Sequence, residues 1–380
     1  MHDVVKGMEK LFCRRLRLGR RVALRGLQAR AAIIGGRLQP LQPGCAGRKE
    51  GHISGYRRIA GLVPTPDGYL WDPWFCCIGP TIHVFYLFQP APGSMSRDAV
   101  FARERPTIAH ATWSRGEGWV YKGTAIGYTG QPYDAERIHT GCVVEHEGSF
   151  YMLYSGSNRF VCLAQSDDLS AWAKAPQNPV ASPDPAIYLE RWRDPWVLQG
   201  SPSDNYTMVL AAQRDKEGGA VGTVALAHSS DLRRWRQDAP LQVPDWFEWM
   251  EVPEVHCIDG TWYLLFVTRR KWVTARGVAA LRAQGLDSRD GAYYLMASSW
   301  RGPYDTIRFL SEQLPDAYTT RLLRRSATEY WLWSHVEKDR DGRVIFGLRP
   351  PAPCTVAAGG GLLVTTLPPP AKSASSRPEL

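Results

Sequence analysis

Short runs of aromatic and β-branched residues, a scarcity of helical periodicity and a repeated turn motif predict an all-β chain folded as a five-bladed β-propeller. The runs "TIHVFYLF", "GCVVEHEGSFYMLYSG", "YTMVLAAQR", "HCIDGTWYLLFVT" and "EYWLWSHV" have the length and composition of strands and are bounded by Gly, Pro, Asn and Asp. "HEG" and "IDG" read as the turns of hairpins. After residue 58 one stretch, "ARGVAALRAQGL", reads as a short helix.

The repeat sets the architecture. "AQSDDLSAW" (164–172) and "AHSSDLRRW" (227–235) share the form A-x-S-x-D-L-x-x-W, with weaker echoes in "ATWSRGEGW" (111–119) and "MASSWRGPY" (296–304). Their starts lie 53, 63 and 69 residues apart, the spacing of a four-stranded propeller blade with long loops. Each motif is expected to be an outer hairpin, its Asp-Leu forming the turn and its Trp packing between blades. The propeller is expected over 58–367, with no room for a second domain. "GLLVTT" is its last strand, expected to close the ring against the first blade, and 368–380 a disordered tail rich in Pro and Ser.

The formal charge of +9 is unevenly distributed. Residues 1–58 hold 14 of the 46 basic and 3 of the 37 acidic residues, which leaves 32 against 34 in the remainder. The basic character therefore belongs to an N-terminal extension, 1–57, expected to be disordered or helical and to lie outside the propeller. It lacks the unbroken apolar core and small-residue cleavage site of a secretory signal, and the body gives no support for nucleic-acid binding. No apolar run approaches the length of a membrane span. The eight cysteines are scattered, without a C-x-x-C pair or a zinc-like cluster, which points to a reducing compartment and a cytoplasmic location. No metal site and no cofactor are expected.

Inner strands of a propeller converge on a central channel, so acids from distant positions meet there. Three carboxylates beside aromatic strands stand out: Asp72 in "GYLWDPWF", Asp194 in "LERWRDPWVL" and Glu251 in "FEWMEVPEV". They fall on the first, third and fourth blades. Asp-Pro also opens turns and tryptophans also fill cores, and Glu248 and Glu254 compete with Glu251 for the channel. Two carboxyls facing an anomeric carbon are the equipment of glycoside hydrolysis: one protonates the leaving oxygen while the other attacks or activates water. Arg193 beside Asp194 suits sugar hydroxyls. The flanking rings, Trp71 and Trp74 among them, suit the apolar faces of a sugar.

In these segments the chain resembles the five-bladed propeller glycosidases, above all glycoside hydrolase family 32. "LWDPW" followed by "HVFYLFQP" is similar to that family's first motif, which implies Asp72 as nucleophile and Gln89 as a sugar contact. "IAHATWSRGEGW" is similar to its His-Ala-Ser segment. "WRDPWV" resembles its Arg-Asp-Pro motif, implying that Asp194 stabilises the transition state. "MEVPEV" resembles its Glu-Cys-Pro-Asp motif and implies Glu251 as general acid/base. "TGCVVEHEGSFYMLYSG" resembles the second-blade strand pair, with His139 and Thr140 near the pocket. Trp71 and Trp74 stand where the family's first motif usually has Asn. The resemblance implies a β-fructofuranosidase-like hydrolase of oligo- or polysaccharides. Glycoside hydrolase family 43, whose arabinofuranosidases and xylosidases invert configuration, and a non-catalytic carbohydrate-binding propeller are the alternatives.

Overall fold

The computed structural model describes residues 68–365 apart from 91–104, 115–116, 199–205, 315–316, 327, 339–343 and 350. The extension 1–57 and the tail 368–380 lie outside the described residues. Strands pair antiparallel in five sheets. The first blade is β1 (Gly68–Ile78), β2 (Thr81–Pro90), β3 (Thr107–Ser114) and β4 (Gly118–Ile126). The second is β5 (Ile138–His146), β6 (Ser149–Gly156), β7 (Phe160–Ser166) and β8 (Ala173–Lys174). The third is β9 (Trp192–Leu198), β10 (Tyr206–Lys216), β11 (Gly219–Ser229) and β12 (Arg236–Asp238). The fourth is β13 (Glu251–Ile258), β14 (Thr261–Thr268), β15 (Gly291–Ala297) and β16 (Thr306–Phe309), with helix α1 (Ala275–Ala283) in the β14–β15 connection. The fifth is β17 (Ala317–Arg324), β18 (Tyr330–Lys338), β20 (Ala352–Val356) and β21 (Leu362–Val364), with β19 (Val344–Leu348) also paired to β18.

The five first strands lie side by side in the order β1, β5, β9, β13, β17 and back to β1, so the ring is closed. Apolar cores fill each junction between consecutive blades. Successive side chains of a strand point to opposite faces, and here both faces are covered. Phe85 and Leu87 of β2 join the core shared with blade two, while Val84, Tyr86 and Phe88 join the core shared with blade five. Burial on both sides is why "HVFYLF" and "YLLFV" are continuous apolar runs rather than alternating ones.

The repeat is the outer turn of blades two and three. Asp168 Oδ1 accepts from the backbone of Ser170 and Ala171 at 2.8 and 2.9 Å, Leu169 takes a left-handed φ of 64°, and Trp172 Nε1 donates to Leu169 O at 3.1 Å. Asp231, Leu232 and Trp235 repeat this arrangement, with φ 60° at Leu232 and the indole bond at 3.0 Å. Trp172 packs edge-on to Phe85 of blade one at 5.6 Å, so the motif's indole does sit between blades. The hairpins at Glu147-Gly148 and Asp259-Gly260 have positive φ at both central residues, as tight two-residue turns require. Gly277 is needed in α1 because a Cβ there would lie 2.0 Å from Trp246 O.

Ring closure departs from expectation. The last strand, β21, stays in the fifth sheet beside β20 instead of joining blade one. Blade one already has its own β4 as fourth strand, so no place is vacant. The seam is instead held by packing, with Trp333 and Leu348 of blade five among Leu70, Ile82 and Tyr86 of blade one.

Candidate active site

Every innermost strand is bulged at one point. Pairing skips Asp72 and Pro73 in β1, His139 and Thr140 in β5, Asp194 and Pro195 in β9, Val252 and Pro253 in β13, and Tyr318 and Thr319 in β17. A bulge frees residues from the ladder, which is what permits proline inside a strand. It also re-aims side chains. Asp72, Asp194 and Val252 adopt left-handed φ of 48°, 61° and 53°. Asp tolerates this region, whereas β-branched Val252 is strained there.

The bulges bring the three predicted carboxylates into one linked cluster. Asp194, 4% exposed, is held most tightly. Its Oδ1 accepts from Thr140 Oγ1 at 2.6 Å, its Oδ2 from Val252 N at 3.3 Å, and its own N–H donates to Ser155 Oγ at 2.8 Å. Arg193 Nη2 donates to Glu251 Oε1 at 2.6 Å, and Nη1 donates to His139 Nδ1 at 3.2 Å. His139 therefore carries its proton on Nε2. Burial, then Arg193, Arg137 and Arg191, pull its pKa well below the ordinary histidine value, so it stays neutral.

Blade five supplies the contacts that the sequence reading missed. Tyr318 OH donates to Glu251 Oε2 at 2.7 Å, and the next residue, Thr319, donates through Oγ1 to Asp72 Oδ1. Asp72 N donates to His335 Nδ1 at 3.3 Å. Tyr318 is in turn covered by Arg269, whose guanidinium carbon lies 3.6 Å from the ring centroid and which pairs with Glu337. The only signal in "AYTTRLL" was polar residues in a strand-like run, without an acid or Trp to draw attention.

Burial, then the negative charges of Glu251 and Asp194, raise the Asp72 pKa to about 7, against the lowering effects of Thr319 and Arg321. The competing acids have other places. Glu248 is exposed in the loop before β13. Glu254 is buried and paired with Arg321 at 3.1 Å, also accepting from Leu322 N at 3.0 Å. Arg321 Nε donates to Pro73 O at 3.0 Å, so this ion pair braces blades four, five and one around the cluster. Although burial pushes the Glu254 carboxyl upward, Arg321, His256 and the Leu322 N–H hold it below its ordinary value.

One expectation is corrected. Trp74 is 1% exposed and stacks on Phe85 at 6.2 Å, and Trp71 is buried in the same core, so neither ring is a wall open to a sugar. In "LERWRDPWVL" Trp192 is likewise core, because adjacent blades must fill the space between their sheets. Gln89 lies at the end of β2, partly exposed, its Oε1 accepting from Arg105 N at 2.9 Å and its Nε2 donating to Pro90 O at 3.2 Å. Those residues hold no group of three or more His, Cys, Asp or Glu arranged for a metal.

A closed five-bladed propeller with Asp72 and Asp194 in the bulges of its inner strands and Glu251 beside a third is the architecture of the propeller glycosidases. The chain belongs to glycosyl hydrolases family 32, whose N-terminal domain matches residues 68–313. It is 30% identical over 148 residues to sucrose:sucrose 1-fructosyltransferase of Festuca arundinacea, covering 36% of this chain and 21% of that one. It is 26% identical over 200 residues to a probable sucrose-6-phosphate hydrolase of Psychromonas ingrahamii, covering 50% and 32%. The chain thus spans a third or less of these relatives' own lengths. Its fold is similar to a Bombyx mori GH32 β-fructofuranosidase solved with sucrose, with TM-score 0.63, 18% identity and coverage of 82% and 65%. It is also similar to an inulosucrase from Halalkalicoccus jeotgali bound to kestose, with TM-score 0.63, 19% identity and coverage of 82% and 92%.

Proposed function

We propose that the chain hydrolyses β-fructofuranosides such as sucrose or fructans with retention of configuration. The observation that carries this reading is that consecutive residues of one strand hold the two working acids, Tyr318 on Glu251 and Thr319 on Asp72. Both acids are tied to adjacent residues of β17 and the charge of Glu251 acts on Asp72, so the two carboxyls share one site, the equipment that a double displacement uses.

In the first step ionised Asp72 attacks the anomeric carbon while Glu251, as its acid, gives a proton to the departing glycosidic oxygen. In the second, Glu251 takes a proton from water, and the oxygen of that water displaces Asp72 from the sugar. Tyr318 and Arg193 each occupy one oxygen of Glu251 and fix its orientation. Asp194, locked by Thr140, Ser155 and Val252 N, offers negative charge to the oxocarbenium-like transition state and acceptors to sugar hydroxyls. A sugar acceptor in place of water would give fructosyl transfer, the reaction named in the Festuca relative.

The test is fructose release from sucrose, inulin and levan, beside aryl arabinofuranoside and xyloside. Asp72→Asn and Glu251→Gln are each expected to lower kcat by about a thousandfold or more. Wild-type rates in either variant, or release of arabinose or xylose alone, would overturn the reading.

A further inference from the structure

Behind Tyr318 stands an ion pair to which the reaction above gives no part. Arg269 directly follows β14 of blade four, and its guanidinium carbon lies 3.6 Å from the centroid of the Tyr318 ring in blade five. Both of its terminal nitrogens donate to Glu337 of β18, Nη1 to Oε2 at 3.2 Å and Nη2 to Oε1. Nη1 also reaches Asp290 Oδ2 at 3.5 Å, and Asp290 Oδ1 accepts from Arg270 N at 2.7 Å. A two-point pair of this kind fixes the plane of the guanidinium as well as its position. Arg269 and Glu337 are both largely buried, so solvent ions screen them little. His335 packs edge-on to the same phenol ring at 5.7 Å, which leaves the ring little room to turn.

A cation over the face of a phenol attracts its π electrons. That draws density from the hydroxyl oxygen and makes the O–H a stronger donor. The O–H of Tyr318 donates to Glu251 Oε2 at 2.7 Å. Such a bond is stronger to a carboxylate than to a carboxylic acid, because the acceptor is then charged. Glu251 becomes a carboxylate as it gives its proton to the departing oxygen, so the bond strengthens toward the transition state. An interaction that grows in this way raises the rate of the chemical step rather than binding alone. Arg193, Asp72 and Asp194 act on Glu251 from the other inner strands. Arg269 also feels the charge of Glu251 directly, so the route through the phenol has to be separated from the route through space.

Resting on the fructoside reading, we propose that Arg269 and Glu337 are positioning residues for the acid step. Glu337 holds the guanidinium over the Tyr318 ring, and the guanidinium aims and strengthens the Tyr318 hydrogen bond that Glu251 gains as it releases its proton. The assisted step is departure of the leaving group: the proton passes from Glu251 to the glycosidic oxygen, the bond from that oxygen to the anomeric carbon breaks, and Asp72 forms the new bond to carbon.

The experiment compares kcat/KM of the full chain on sucrose, whose glucose needs a proton to leave, and on a fructosyl fluoride, whose leaving group needs none. Arg269→Met is expected to lower the value on sucrose by about tenfold or more and the value on the fluoride by about threefold or less. Glu337→Gln keeps one acceptor for the guanidinium and should show the same pattern with a smaller loss, and Arg269→Lys should recover part of the sucrose rate. In Tyr318→Phe protein the ring remains without its hydroxyl, and there Arg269→Met should cost little more. If Arg269→Met fails to fold, Glu337→Gln and Arg269→Lys carry the same comparison. Equal losses on sucrose and the fluoride, or an undiminished loss from Arg269→Met in the Tyr318→Phe background, would overturn the assignment. If wild type releases fructose from neither donor, the fructoside reading fails by itself. The comparison then passes to good and poor aryl leaving groups on whichever glycoside is cleaved, with the same two outcomes, and cleavage of no glycoside refutes both readings.

Discussion

Thr319 and His335 contact Asp72 from a blade that carries none of the three acids. The hydrogen bond from Thr319 favours the ionised carboxylate, while burial and the charges of Glu251 and Asp194 favour the protonated form and win, leaving the pKa near 7. A nucleophile must be ionised, so kcat/KM should fall as pH drops through about 7, the value that a free-enzyme group imposes on that parameter. Thr319→Val should move this acid limb to higher pH, and a pH–rate profile of the variant beside wild type checks it. A limb that stays in place would show that Thr319 does not tune Asp72. Asp72, Asp194 and Glu251 were legible because each stands within two residues of a proline and among aromatics, chemistry that a plain solvated loop does not assemble. Tyr318 and Thr319 were not, since their importance lies in which atoms they reach across a blade junction, and periodicity carries no such information. The tryptophans misled for a physical reason: a large flat ring suits a sugar and a blade junction equally well, and only burial separates the two.

Pairs of strands and their turns show why local sequence revealed so much of the architecture. The A-x-S-x-D-L-x-x-W motif is self-contained: Asp168 or Asp231 caps its own backbone, and the indole bonds the residue three before it. Local bonding of this kind leaves a fixed signature in the chain. Asp231→Ala removes the carboxylate that accepts from two backbone N–H groups, those of Arg233 and Arg234, and should cost about 1–2 kcal/mol, read from denaturant midpoints, while leaving the active-site strands in place. The bulges were half legible. Asp-Pro, Asp-Pro and Val-Pro mark three of them, but His139-Thr140 and Tyr318-Thr319 make the same bulge without proline, and there the sequence looks like ordinary strand.

Five blades closed by packing rather than by a shared strand depend on their junctions. The five apolar cores and the buried Arg321–Glu254 pair do this together, and the pair touches three blades at once. Arg321→Met leaves the buried Glu254 without its guanidinium partner and should destabilise the fold by about 3 kcal/mol, whereas the double change with Glu254→Leu should recover much of the loss; unfolding of the three proteins at one pH measures both. The way the ring closes could not be read from "GLLVTT", because a fourth strand for blade five and a closing strand for blade one have the same composition. The choice rests on β4 already filling blade one.

The central claim is that Asp72 and Glu251, both hydrogen-bonded by blade five, perform a double displacement. Its most direct test is to treat Glu251→Gln protein with a fructosyl fluoride, whose leaving group needs no proton, and to map the labelled peptide by mass spectrometry. A fructosyl ester on Asp72 is the predicted result. Turnover without any adduct and with inverted configuration, or an adduct on another residue, would contradict it.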